Sequence, residues 1–373
     1  MNAPQALSAA TATPTRSRLA RAEPSRDRSL PPARSGRCPL PDPCLLERGA
    51  ALAAAELAYE LCGPPGAPVV VVLGGISAHR HVTATHADAG RGWWADQVGS
   101  GAPIDTRRLR VLSFDWLGGN GDSTGPRAAE ETFPTVPFPT VSTADQAGAL
   151  AHLLDHLGIA RIATFVGASY GGMVALSFAA RHPHRVDRLI VLSAADRSHP
   201  HATALRSVQR SVTRLGLELG AGRAGLALAR SLAMVTYRSP AELELRFDGE
   251  PRAAGGALRF PVEDYLQARG ESFAGAFHPG AFLCLSESID LHRVDARAIA
   301  TPTTLVSVRS DQLVPPAQLQ RLARLLAGPS RLIEIDSLYG HDAFLKETGQ
   351  VGRILHRALV DLGARSPDRE VPR

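Results

Sequence analysis

Continuous apolar runs alternate with helically spaced ones along most of the chain. Val69–Leu73 (VVVVL) is β-branched almost throughout and ends in Gly74-Gly75. That is the pattern of a parallel strand buried on both faces and running into a loop. Arg110–Phe114 (RVLSF) repeats it, closed by Asp115 and Gly118-Gly119. Residues 142–157 carry apolar positions spaced for one helix face and stop at Gly158, a helix ending at glycine. Residues 162–166, 189–192, 304–308 and 332–335 supply four more strands, and a helix from about 171 to 181 follows the first of them. Strand, helix, strand in this order predicts the α/β class, with a mostly parallel, doubly wound sheet.

One stretch breaks the alternation. Residues 197–290 show helical periodicity at 202–215, 224–236 and 261–269 and little strand signal. This predicts a helical lid inserted above the strand ends, with the α/β core formed by 46–196 and 291–365. Residues 1–45 are rich in Pro, Ala, Ser and Arg and show neither period. Such a segment buries too little apolar surface to offset its ordering entropy, so it is expected to be disordered, as is a short tail at 366–373. Its Arg- and Ser-rich start also resembles an organelle transit peptide, but Pro24, Pro31 and Pro32 interrupt any amphipathic helix.

Charge changes this picture little. Of 41 basic residues only Lys346 is a lysine, and the formal net charge is +5. The first 37 residues hold seven arginines against Glu23 and Asp27, an excess equal to the whole net charge. The remainder is neutral on balance, which argues against a nucleic-acid binder built on a basic face. No run of about 18 apolar residues exists to span a membrane. Four cysteines (Cys38, Cys44, Cys62, Cys284) lack both zinc-ligand spacing and disulfide-scaffold density, so a reduced, cytoplasmic protein without a metal is expected.

The candidate chemistry lies after the third strand, in Gly167-Ala168-Ser169-Tyr170-Gly171-Gly172. This is G-x-S-x-G between a strand and a helix, a turn that lifts a serine hydroxyl above the sheet at a helix N-terminus. A serine nucleophile needs a base, and the base an orienting acid. Asp311 follows the strand at 304–308 and His341 follows the strand at 332–335. Both therefore sit at strand carboxyl ends, in the chain order Ser, Asp, His that goes with this elbow. An oxyanion hole requires two backbone N–H groups. Tyr170, after the nucleophile, supplies one, and the loop Gly74-Gly75-Ile76-Ser77 the other.

These motifs together resemble the homoserine O-acyltransferases of the α/β-hydrolase fold. Residues 92–106 (GWWADQVGSGAPIDT), 118–126 (GGNGDSTGP), 167–173 (GASYGGM), Ser310-Asp311 with Pro315, and Gly340-His341-Asp342-Ala343-Phe344-Leu345 carry the resemblance, which spans roughly 46–360. It implies Ser169, Asp311 and His341 as the catalytic triad and the amides of Ile76 and Tyr170 as the oxyanion hole. It implies Arg230 as the partner of the homoserine carboxylate, Tyr237 beside it, and Asp342 as the carboxylate that holds the amino-acid end. Seven residues separate Arg230 from Tyr237, which puts both on one helix face. Tyr170 stands where the family usually has methionine and is expected to touch the acyl-pocket wall. The oxyanion loop reads LGGIS, the variant that resembles the succinyl-using side of the family.

The expected activity is a ping-pong transfer of a succinyl group from succinyl-CoA to L-homoserine, in methionine biosynthesis. It needs no cofactor, acyl-CoA being a co-substrate, and the resemblance implies a homodimer. Arg80 or Arg238 is expected to meet the far carboxylate of succinate. Acetyl-CoA as donor, L-serine as acceptor, or plain ester hydrolysis are the alternatives. Removing residues 1–40 is expected to leave activity nearly unchanged.

Overall fold

The computed structural model describes residues 30–126 and 138–360. Its centre is an eight-stranded sheet. Strands β1 (Ala33–Pro39), β2 (Glu56–Cys62), β3 (Val69–Leu73), β4 (Arg110–Phe114), β5 (Thr164–Ala168), β6 (Leu189–Leu192), β7 (Thr303–Val308) and β8 (Ser330–Ile335) lie in the spatial order 1-2-4-3-5-6-7-8. From β4 to β8 all neighbours are parallel, while β1 and β2 add an antiparallel edge. The β-branched runs alternate between two cores. Val71, Phe165, Val191 and Leu305 face one layer, whereas Val70, Val72, Val166, Ile190 and Val306 face the other, as the two-residue period of a strand requires.

Helices α1 (Thr143–His156), α2 (Tyr170–Arg181) and α8 (Pro316–Leu325) cover the first layer. α9 (Thr348–Leu359) covers the second, with Trp94 and Ile104. The start of α1 shows how local sequence sets an element. Ser142 accepts from the Asp145 N–H, and the Asp145 carboxylate accepts from the Ser142 N–H, a reciprocal cap that satisfies two otherwise orphan donors.

Between β6 and β7 the chain leaves the sheet as α3 (Pro200–Glu218), α4 (Gly222–Tyr237), α5 (Pro240–Phe247), α6 (Pro261–Ala274) and α7 (Pro279–Leu291). A short hairpin, Arg252–Ala254 with Ala257–Arg259, interrupts them. This helical insertion falls on the stretch expected as a lid, with α5, α7 and the hairpin in addition to the helices expected there.

The expected disorder of 1–45 is corrected for its later part. Residues 1–29 and 366–373 lie outside the described residues, but Ala33–Pro39 is a seven-residue edge strand in register with β2. Its sequence lacks apolar alternation because, Cys38 apart, its side chains on both faces are exposed or half-buried; it is ordered by the ladder to β2 and by burial of Cys38. Two of the seven N-terminal arginines, Arg34 and Arg37, therefore belong to the sheet, and Arg37 donates to the Asp122 carbonyl at 2.8 Å. β2 itself (ELAYELC) carries two Glu and one Ala, poor strand formers that pairing and burial override. The strand expected at 162–166 runs instead from Thr164 to Ala168, Ile162 making only an isolated bridge to Val186.

Candidate active site

The turn between β5 and α2 holds Ser169 at φ 53° and ψ −119°, a left-handed conformation rare for a residue with a side chain. Glycine at 171 makes the turn possible: a Cβ there would stand 2.3 Å from the Leu73 carbonyl oxygen. The Gly171 N–H also donates to Gly74 O at 2.8 Å, tying the elbow to the loop after β3.

Three chain segments meet above this turn. Ser169 Oγ lies 2.8 Å from His341 Nε2, and His341 Nδ1 lies 2.8 Å from Asp311 Oδ2. The other Asp311 oxygen accepts from the N–H groups of Leu313 and Val314 at 2.9 and 3.0 Å. Asp311 is an acceptor throughout, so Nδ1 of His341 carries the proton and Nε2 faces the serine hydroxyl. Burial alone would lower the His341 pKa. The charge and hydrogen bond of Asp311, with the charge of Asp342, more than offset it and raise it above the ordinary imidazole value. Among the described residues no carbonyl or side chain accepts from the N–H groups of Ile76 or Tyr170. Ile76 in the loop after β3 and Tyr170 at the first position of α2 both border Ser169, as an oxyanion hole requires.

Two cavities open on Ser169. The outer one is lined by Ile76, Trp93, Arg230, Tyr237, His341 and Asp342. The Arg230 guanidinium stacks over Tyr237 at 5.1 Å and Phe273 at 4.6 Å, with no carboxylate partner among the described residues. Asp342 pairs with Arg238 at 3.1 Å. A cation on aromatic faces and an anion beside the nucleophile suit a zwitterion.

The inner cavity runs past Met173, Leu313 and Val314 to Ser198, Arg206 and Ser286. Arg206 and Arg210 share one carboxylate, Asp290, at 2.7 and 2.6 Å. Burial would raise the Asp290 pKa, but the charge of Arg206 and hydrogen bonds from Arg206, Arg210 and Thr203 hold it below the usual carboxylate range. Two guanidiniums against one carboxylate leave an excess positive charge in this wall.

Every expected triad and oxyanion residue is brought to one place, as are Arg230, Tyr237 and Asp342. Three expectations are corrected. The Tyr170 ring does not line either cavity: it is buried edge-on against Trp116 with its hydroxyl on Ser288 at 2.7 Å, so only its backbone serves the site. Arg80 is bound by Asp115 and Asp122, away from the acyl cavity. Arg238 is buried between Asp342 and Glu242 and does not reach it either. The arginines that do line the inner cavity are the exposed Arg197 and the largely buried Arg206. In a chain with forty arginines, position alone distinguishes the latter; its sole sequence signal is the i, i+4 pair Arg206 and Arg210 on the lid helix face.

Comparison with known proteins identifies the family and the fold. The α/β-hydrolase fold family matches residues 68–348. The chain is 44% identical over 340 residues to a homoserine O-succinyltransferase of Xanthomonas campestris pv. campestris, covering 91% of this chain and 88% of that one. It is 36% identical to an L-serine/homoserine O-acetyltransferase of Streptomyces lavendulae, covering 87% and 96%. Among solved structures, a homoserine O-acetyltransferase from Bacillus anthracis superposes with a TM-score of 0.78 at 19% identity, covering 90% of this chain and 98% of that one. Esterase E22 superposes with 0.77 at 20% identity, covering 88% and 100%. At such identities both structures speak for the fold alone.

Proposed function

The chain belongs to the homoserine O-acyltransferases of the α/β-hydrolase fold, and on that footing we propose that it transfers succinyl from succinyl-CoA to the hydroxyl of L-homoserine, a step of methionine biosynthesis. In the first half-reaction His341, oriented by Asp311, takes the Ser169 proton as the oxygen attacks the thioester carbonyl. The N–H groups of Ile76 and Tyr170 bind the oxyanion, and His341 returns the proton to the departing CoA sulfur. In the second, homoserine lies in the outer cavity, its carboxylate on Arg230 and its ammonium on Asp342. His341 takes the proton of the homoserine hydroxyl as that oxygen attacks the ester carbonyl, and returns it to Ser169 as the ester leaves.

The observation that carries the choice of acyl group is the charge of the inner cavity wall. A distal carboxylate at Arg206 would meet the excess positive charge there, whereas an acetyl methyl would leave it unanswered. The Arg230 guanidinium and Asp342 carboxylate in the outer cavity favour an amino-acid acceptor over water, which sets this reading apart from an esterase. The family resemblance carries the further proposal that the enzyme is a cytoplasmic homodimer that works without a cofactor.

A free-thiol assay with succinyl-CoA and acetyl-CoA, each paired with homoserine and with serine, tests it. Succinyl-CoA with homoserine is expected to be at least tenfold faster than any other pair. Equal or greater use of acetyl-CoA overturns the acyl assignment, and thiol release independent of acceptor favours the hydrolase.

A further inference from the structure

The junction of α4 and α5 is fastened to the loop that carries His341. Gly340, at φ +55°, lies so close to Tyr237 that a Cβ would stand 2.7 Å from the Tyr237 carbonyl oxygen. Ser239 Oγ donates to Leu338 O, and Gln312 Nε2, from the residue after Asp311, donates to Arg238 O at 3.2 Å. Between these backbone contacts the Arg238 side chain is buried, with three groups around its guanidinium. Nε donates to the Tyr265 hydroxyl at 3.1 Å, Nη2 meets Asp342 Oδ2 at 3.1 Å, and Nη1 faces Glu242 at 3.7 Å. Glu242 has its own closer partner in Arg246 at 2.9 Å, so the charge of Arg238 is directed mainly to Asp342.

We propose that Arg238 is a positioning residue for the second half-reaction: it holds the Asp342 carboxylate by one oxygen and presents the other to the acceptor's ammonium. Asp342 lies on the residue next to the catalytic base and lines the outer cavity. Without a partner its side chain could turn toward His341 or toward solvent, and the acceptor would have to restrain it on binding. A guanidinium donates along fixed directions, so it restrains a carboxylate's rotation as a flexible ammonium does not. In the reading proposed above, Asp342 meets the acceptor's ammonium and no group of the thioester, so the acylation half-reaction should not depend on this restraint. The inference rests on the acyltransferase reading above, in which Asp342 holds the ammonium.

The test separates the half-reactions in Arg238→Met and Arg238→Lys. Acylation is read as the burst of free thiol, with intact-mass detection of acyl-Ser169, in the absence of acceptor. Transfer is read from the acceptor dependence of turnover. Arg238→Met is expected to raise the homoserine KM at least tenfold, with the acylation burst rate within about threefold of wild type. Arg238→Lys, which keeps the charge but not the fork, is expected to fall between the two. If Arg238→Met does not fold, the Lys variant decides alone: a KM rise of at least threefold with unchanged acylation supports the proposal. An unchanged homoserine KM, or equal losses in both half-reactions, overturns it. A wild-type enzyme that shows no acyl-Ser169 with either acyl-CoA overturns instead the acyltransferase reading beneath it.

Discussion

Ser169 Oγ and His341 Nε2 stand 2.8 Å apart although 172 residues separate them in the chain. The sheet brings them together, because β5 and β8 both end at its upper rim and their following loops turn toward each other. Ser169→Ala is expected to lower turnover at least about 10⁴-fold. The melting temperature should stay within a few degrees of wild type, since the hydroxyl supports no packing. Thermal melts and the free-thiol assay on the same preparation check both.

The raised pKa of His341 sets the acid limb of the rate profile. The base must be neutral to accept the Ser169 proton, so kcat/KM is expected to rise with pH and reach half its plateau above pH 6.5, the ordinary imidazole value. Asp311→Asn removes the principal raising influence. It should move that limb to lower pH while cutting the plateau about 10⁴-fold, because the tautomer is no longer held. A limb unmoved by Asp311→Asn would show that His341 is not the titrating base.

Replacing Arg206 should act on the donor and not on the acceptor. Arg206→Leu leaves Asp290 still paired to Arg210. It is expected to lower kcat/KM for succinyl-CoA about 30- to 100-fold, the worth of a charged hydrogen bond, and to change acetyl-CoA turnover by less than about threefold. Steady-state comparison of the two donors reads the ratio.

His292 makes stability depend on acid. Its ring is fully buried; the Thr143 hydroxyl donates to Nδ1 at 2.8 Å and Nε2–H donates to Ala195 O at 3.0 Å. Burial, only partly opposed by the Ala195 hydrogen bond, pushes its pKa down to about 3 from 6.5. Between those values the unfolded chain binds a proton that the folded one does not. Stability is therefore complete above pH 6.5 and falls as the pH drops toward 3, by up to about 1.4 kcal/mol per pH unit from this group. Urea melts from pH 7 to 4 should show a shallower loss in His292→Gln than in wild type, although the variant starts lower at neutral pH.

Removal of residues 1–40 is expected to destabilise the protein, because it strips β1 from the sheet and uncovers β2. A fall of at least about 5 °C in melting temperature is expected, read by calorimetry. An unchanged melt would mean that the edge strand adds nothing to the fold.

Much of this protein was legible in residue order alone. The apolar runs marked all six parallel strands to within two residues at either end, because a strand buried on both faces needs an unbroken apolar run; β5 was displaced as a whole by two. The elbow glycines, with Asp311 and His341 after later strands, pointed to three side chains that the fold does bring into one hydrogen-bonded row, because each step of the expected chemistry demands a residue type at a strand end. What residue order could not supply were features set by neighbours distant in the chain. β1 and β2 became strands only by pairing with each other and with β4. Tyr170 turned its ring into the core beneath Trp116 and not into the cavity. The useful arginines were decided the same way: Arg80 and Arg238 are drawn to carboxylates elsewhere, while α3 carries Arg206 to the inner cavity. A side chain's type states what it can bind; the fold alone decides which partner lies within reach, and charge attraction acts over that distance in space, whatever the separation along the chain.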